Sequence, residues 1–182
     1  PAARQRPMAT LIEAMRDVGI EVDDAGKGRL PILVRGHGHV PGGEVVLDAS
    51  RSSQFVTALL LSAARFESGA TIHHVGARLP SEPHIDMTIR MLEHHGVVVT
   101  KVDDPPIDRY HRFTWHVDAQ EIGACDWRIE PDVSNALPFI AAAIVTGGRI
   151  LVEGWPRSAL QPTNAVLAVL EAFGAEVDFL DD

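Results

Sequence analysis

The sequence predicts an α/β (α+β) fold made of repeated, pseudo-symmetric strand–helix units. Three observations predict it. Pro-led amphipathic helices recur, each closed by Gly and followed by a β run: RPMATLIEAMRDVGIEV, EPHIDMTIRMLEHHGVVV and QPTNAVLAVLEAFGAEV. The intervals Pro7–Gly19, Pro83–Gly96 and Pro162–Gly174 differ by at most one residue. A second, much more apolar helix also recurs, in SSQFVTALLLSAARFESGATIHHVG and VSNALPFIAAAIVTGGRILVEG, where Gly69–Gly76 and Gly147–Gly154 have the same separation. Self-similarity of this kind signals a unit that cannot bury its own apolar face and must stack on others. Helices with almost no polar face, such as 55–64 and 136–145, are expected inside.

In chain order, Arg6-Pro7 opens a helix striped by Leu11, Ile12, Met15 and Val18, with Pro where its missing N–H does no harm. Gly19 ends it, Ile20–Val22 begins a strand, and 23–29 is a turn. A strand at 30–35, a Gly/His/Pro loop at 36–43 and a strand at 44–48 lead to the stretch that organises the chain, LDASRSSQFVTALLLSAARF. A helix runs from Gln54 to about Arg65. A strand at 71–75 precedes the Pro83 helix. Strands are then expected at 97–99 and 113–117 around a charged, Pro-bearing turn at 103–109, with a short strand or crossover at 124–130. The helix 136–145, a strand at 149–152, the Pro162 helix and a strand at 175–179 complete the reading.

Composition bounds the function. The chain has 182 residues, 46% hydrophobic and 23% charged, as folded domains are. A formal charge of −9 argues against nucleic-acid binding through a basic surface. The single cysteine, Cys125, excludes an internal disulfide and fits a reducing compartment. Nine histidines include the adjacent pairs His73-His74 and His94-His95, without the spacing of a metal motif, and His37, His39, His111 and His116 read with them as surface or strand residues. No metal is expected. No apolar run reaches membrane-spanning length and no signal peptide is visible. The chain opens on Pro1 in the lead into a helix, so a piece of a longer protein is expected.

The turn before the organising helix concentrates Ser50, Arg51, Ser52, Ser53 and Gln54. A helix start leaves N–H donors unpaired and carries partial positive charge. Hydroxyls there either cap the helix or share those donors with a phosphate or carboxylate. One cap needs one hydroxyl, and three serines crowd this turn. Asp132 and Ser134 read as a cap for the helix that follows them.

Four motifs on this framework carry a resemblance: Arg4-x-Arg6-Pro7, Asp48-Ala49-Ser50-x-Ser52-Ser53-Gln54-Phe55, Ser81-x-Pro83-x-Ile85-Asp86 and Glu130-Pro131-Asp132-x-Ser134. Together and in order they resemble the enolpyruvyl transferases, specifically the 5-enolpyruvylshikimate-3-phosphate synthase (3-phosphoshikimate 1-carboxyvinyltransferase) family. The resemblance covers essentially the whole chain but only the middle of the family's length. It implies βαβαββ units with buried parallel helices: residues 1–129 as two units of the shikimate-phosphate-binding domain, and 130–182 as the start of the second domain after a hinge crossover. It implies transfer of the carboxyvinyl group of phosphoenolpyruvate to the 5-hydroxyl of shikimate 3-phosphate, through a tetrahedral intermediate, with no cofactor.

The resemblance assigns Ser52, Ser53 and Ser81 to shikimate 3-phosphate, and His84 to the same substrate where many members carry Tyr. Gln54 would touch both substrates, and Arg6 would hold phosphoenolpyruvate, a bidentate task that lysine does poorly. The family's general acid/base carboxylate and catalytic lysines match no residue here, so the piece alone is expected to be inactive. Small-molecule partners only, a cytoplasmic location and a monomeric full-length enzyme are further implications. The sister UDP-N-acetylglucosamine enolpyruvyl transferase uses a loop cysteine, whereas Cys125 lies ahead of the crossover, and the Ser-Ser-Gln turn favours the shikimate enzyme. A non-catalytic repeat protein is the remaining alternative; under it, the serines and Arg6 need not converge.

Overall fold

A computed structural model describes residues 2–107, 110–155 and 159–180, without the side chains of Ala2, 103–107 and 110–112. The chain divides into two units, Pro1–Cys125 and Asp126–Asp182.

The first unit holds a four-stranded sheet in the order β3 (Gly43–Leu47), β4 (Ala70–Gly76), β6 (Tyr110–Val117), β5 (Thr100–Ile107). β3 and β4 are parallel, with Leu47 opposite His74. β6 is antiparallel to both β4 and β5. A separate two-stranded ribbon pairs β1 (Glu21–Asp23) with β2 (Leu33–Arg35), Val22 opposite Val34.

Strand alternation decides which face is covered. Val45, Leu47, Ala70, Ile72, His74, Phe113, Trp115 and Val117 all point inward and are buried. Against them lie α1 (Ala9–Asp17), α2 (Gln54–Ala63) and α3 (Glu82–His94), contributing Ala14, Val56, Leu59, Leu60, Ile85, Ile89 and Leu92 among others to one core. Of the alternate positions, Val46 and Val75 are exposed and Thr71, His73, Thr114 and His116 are half-buried. The first unit is therefore one sheet with helices on one face.

The helix directions matter for the site. The Gly42 N–H bonds to Val18 O at 3.2 Å, so α1 ends where β3 begins. Beyond α2, the N–H groups of Glu67 and Ser68 bond to Val40 O and Pro41 O, both at 2.9 Å, so α2 also ends there. α2, which follows β3 in the chain, therefore starts at the edge where β3 ends, and α3 starts just beyond the end of the neighbouring parallel strand β4.

The Pro/Gly punctuation holds at the C-termini. Gly19, Gly96 and Gly174 follow their helices at φ +89°, +77° and +86°, a left-handed conformation that glycine adopts without Cβ strain. The N-termini differ. Pro7 lies two residues ahead of α1, after a 3-10 turn at Ala2–Gln5, and Pro162 is the cap of α5 (Thr163–Ala172) rather than its first residue.

Several expected strands are replaced. Val97–Val99 joins no ladder: the Gln120 side chain takes the Val98 N–H at 2.9 Å and donates to Val98 O at 3.2 Å, so an amide stands where a strand would. The expected turn at 103–109 is β5 as far as Ile107, with its register broken between Asp104 and Ile107, where Pro105 and Pro106 fall. An edge strand tolerates this, because no further strand needs their N–H groups. Asp108 and Arg109 lie outside the described residues.

The second unit holds α4 (Val133–Thr146) and α5. As expected, Asp132 caps α4: Oδ1 accepts the Asn135 N–H at 3.0 Å. Gln161 closes the unit, accepting the Val133 N–H at 3.0 Å and donating to Pro131 O at 2.7 Å and to Glu130 at 3.2 Å. No strand forms at 124–130, 149–152 or 175–179, since extended backbone becomes a strand only when a ladder partner takes its hydrogen bonds. α4 is not buried as its composition suggested: Phe139 is 66% and Val145 86% exposed. α2 is buried on one face only, with Leu61 at 52%.

Candidate anion site at two helix entrances

Ser53 is the residue before α2 and is buried, yet its hydroxyl makes no capping bond. Its backbone is already helical, at φ −64° and ψ −18°, whereas a capping side chain reaches back from extended backbone. Ser52, half-buried, does the local work instead: its Oγ accepts the Gln54 N–H at 3.3 Å. Gln54 and Arg51 are exposed.

Ser81 occupies the same place before α3. It is exposed and stands at φ +54°, ψ +41°, left-handed backbone that is uncommon for a residue with a Cβ. Its carbonyl accepts the His84 N–H at 2.9 Å. An open depression of about 650 Å³ is lined there by Arg78, Leu79, Pro80, Ser81, Glu82, Pro83 and Asp86. Of the expected site residues it includes Ser81 alone. Lys101 donates to Glu82 at 2.7 Å and to Asp86 at 2.9 Å. Burial opposes its charge, but these two bonds prevail and raise its pKa.

Two loops thus leave the ends of adjacent parallel strands, and each ends on a serine at a helix start. They are also fastened together. His74, fully buried in β4, accepts the Ala49 N–H on Nδ1 at 3.1 Å. That leaves the hydrogen on Nε2, which donates to Ala77 O at 2.9 Å. The Ser50 hydroxyl lies between the Asp48 carboxylate and Ala77 O, 3.1 Å from the latter. That hydroxyl holds the Asp48 pKa below the ordinary carboxylate value, against the opposing effect of burial. His74 was expected on a surface or simply in a strand. It is in the strand, but inward. Alternation through Ala70, Ile72 and His74 was the signal that could have found it.

Arg6 is exposed, in the turn between the 3-10 turn and α1. Its backbone N–H bonds to Ala3 O at 3.3 Å, and nothing in the geometry of the described residues joins it to the serine-bearing loops. His84 is exposed in the first turn of α3. Among the described residues no group of three His, Cys, Asp or Glu side chains could hold a metal ion, and no helix is long and apolar enough to cross a membrane.

Helices leave the carboxyl ends of two neighbouring parallel strands, with a serine at the start of each, an arrangement of the α/β class. A sequence model of the EPSP synthase family (3-phosphoshikimate 1-carboxyvinyltransferase) matches residues 1–182, and the chain belongs to that family. Among solved structures, it is similar to EPSP synthase from Acinetobacter baumannii at 14% identity and a TM-score of 0.34, over 79% of this chain and 46% of that one. The chain thus spans less than half the length of that protein.

Proposed function

We propose that this chain supplies the shikimate 3-phosphate side of a 3-phosphoshikimate 1-carboxyvinyltransferase. The complete reaction joins the carboxyvinyl group of phosphoenolpyruvate to the 5-hydroxyl of shikimate 3-phosphate and releases phosphate. The observation that carries the proposal is the family match over residues 1–182, supported by the two serine-bearing helix entrances on adjacent parallel strands.

In this reading Ser52, Ser53 and Ser81 direct hydroxyls at the phosphate, and the positive dipole ends of α2 and α3 add favourable potential. The absence of a capping bond from Ser53 leaves that hydroxyl for a ligand. Gln54 reaches both substrates, His84 contacts the shikimate ring, and Arg6 holds phosphoenolpyruvate. These groups position and neutralise the reactants rather than transfer protons. Residues 1–129 form two units of the shikimate-phosphate-binding domain, and 130–182 begin the second domain. The complete enzyme acts as a cytoplasmic monomer.

Calorimetric titration tests this. Shikimate 3-phosphate is expected to give saturable heat, and unphosphorylated shikimate much less. No phosphate release is expected from the chain alone with both substrates. Absence of heat at millimolar shikimate 3-phosphate, or equal affinity for shikimate, contradicts the proposal.

A further inference from the structure

We infer that His74 is a positioning residue that sets the distance between the two serine-bearing loops, as a neutral imidazole locked in one tautomer. The inference rests on the functional reading above. The ring is fully buried, and both its nitrogens are spent on backbone: Nδ1 on the N–H of Ala49, and Nε2–H on the carbonyl of Ala77. Ala49 belongs to the loop that delivers Ser52 and Ser53; Ala77 belongs to the loop that delivers Ser81. One rigid ring therefore spans both loops, and it is itself anchored in β4 and stacked on Phe113 with centroids 6.4 Å apart.

The loops meet closely. A Cβ on Gly76 would run into the Asp48 carboxylate and the Ser50 hydroxyl. The Ser50 hydroxyl shares its one hydrogen between Asp48 and Ala77 O, so it adds only a weak second tie. The histidine ring carries the link. His74 touches no ligand in this arrangement; it acts through the loops on which the serines stand. A phosphate gripped from both loops senses any change in their spacing, because charge-assisted hydrogen bonds weaken steeply with distance and angle.

The test compares three variants in the 182-residue chain, each measured for thermal melting and for shikimate 3-phosphate binding at a temperature where it is folded. His74→Asn keeps an acceptor near the Nδ1 position. His74→Gln keeps a donor near the Nε2 position. His74→Phe matches the ring's shape and loses both bonds. Loss of the clip gives His74→Phe the weakest binding, by about tenfold or more, with Asn and Gln between it and the parent. A role in packing alone gives the reverse order, with Phe the mildest, and overturns the inference. If His74→Phe does not fold, Asn and Gln decide: parental affinity in both overturns it, and weakened affinity in both supports it. Nitrogen-15 NMR of the histidines reads the tautomer without ligand. A proton on Nε2 is expected, and a proton on Nδ1 overturns the inference. A parent chain that binds no shikimate 3-phosphate overturns the functional reading, and the inference with it. A parent that binds while all folded variants match it overturns the inference alone.

Discussion

Gly76, the last residue of β4, lies so close to Asp48 at the end of β3 that any side chain would overlap the carboxylate. The atoms that crowd Gly76 are the Asp48 carboxylate and the Ser50 hydroxyl, which tie the loop after β3 to the end of β4. Gly76→Ala must displace those side chains. The expected cost is about 1–3 kcal/mol, as for overpacking elsewhere, read as a lower melting temperature. Asp48→Ala in the same background is expected to recover part of it.

Ser53→Ala separates binding from folding. A serine that caps its helix typically contributes about 1 kcal/mol, but the Ser53 hydroxyl makes no such bond. The variant should melt within about 0.5 kcal/mol of the parent, the usual scatter for a substitution that breaks no interaction, while losing affinity for shikimate 3-phosphate. A large loss of stability with unchanged affinity would make Ser53 a structural residue.

Asp24 gives the first unit a defined acid limb. Its carboxylate accepts the Gly28 N–H at 2.6 Å, the guanidinium of Arg16 at 2.8 Å and the Gly26 N–H at 3.3 Å. The Gly28 bond leads and Arg16 follows in lowering its pKa from 3.8 to about 2. A carboxylate with a depressed folded-state pKa stabilises the fold above its unfolded value, and that stability is lost as pH falls through the folded value. Stability is therefore expected to drop between pH 3.8 and about 2. Asp24→Asn should flatten the curve in that window, which urea unfolding across the range would measure.

Trp115 is fully buried, and its indole N–H has no hydrogen-bond partner. Burying an unpaired donor is unfavourable, so removing it offsets part of the lost apolar area. Trp115→Phe is expected to cost less than about 1.5 kcal/mol, against about 3–5 kcal/mol for Trp115→Ala. A Trp115→Phe loss well above the first figure would mean that the indole N–H is satisfied in solution.

What the sequence revealed follows from what is local. The Gly-ended helices, the Asp132 cap and the Ser-Ser-Gln turn depend on neighbours in the chain, so propensity and spacing were enough. Strands at 97–99, 149–152 and 175–179 failed because a strand requires a distant partner; at Val98 that partner is the Gln120 side chain. The buried clip at His74 was hidden for the same reason. Its partners, Ala49 and Ala77, lie 25 and 3 residues away and offer only backbone, which no motif records. The exposed apolar residues of α4 show the converse limit: composition states that a face is apolar but not what covers it.

The most direct test of the central claim is a backbone amide NMR titration of the chain with shikimate 3-phosphate. The expected result is a saturable set of shifts centred on Ser52, Ser53, Gln54 and Ser81, reporting one phosphate held from both helix starts. Saturable shifts confined to one loop, or centred away from both, would contradict it.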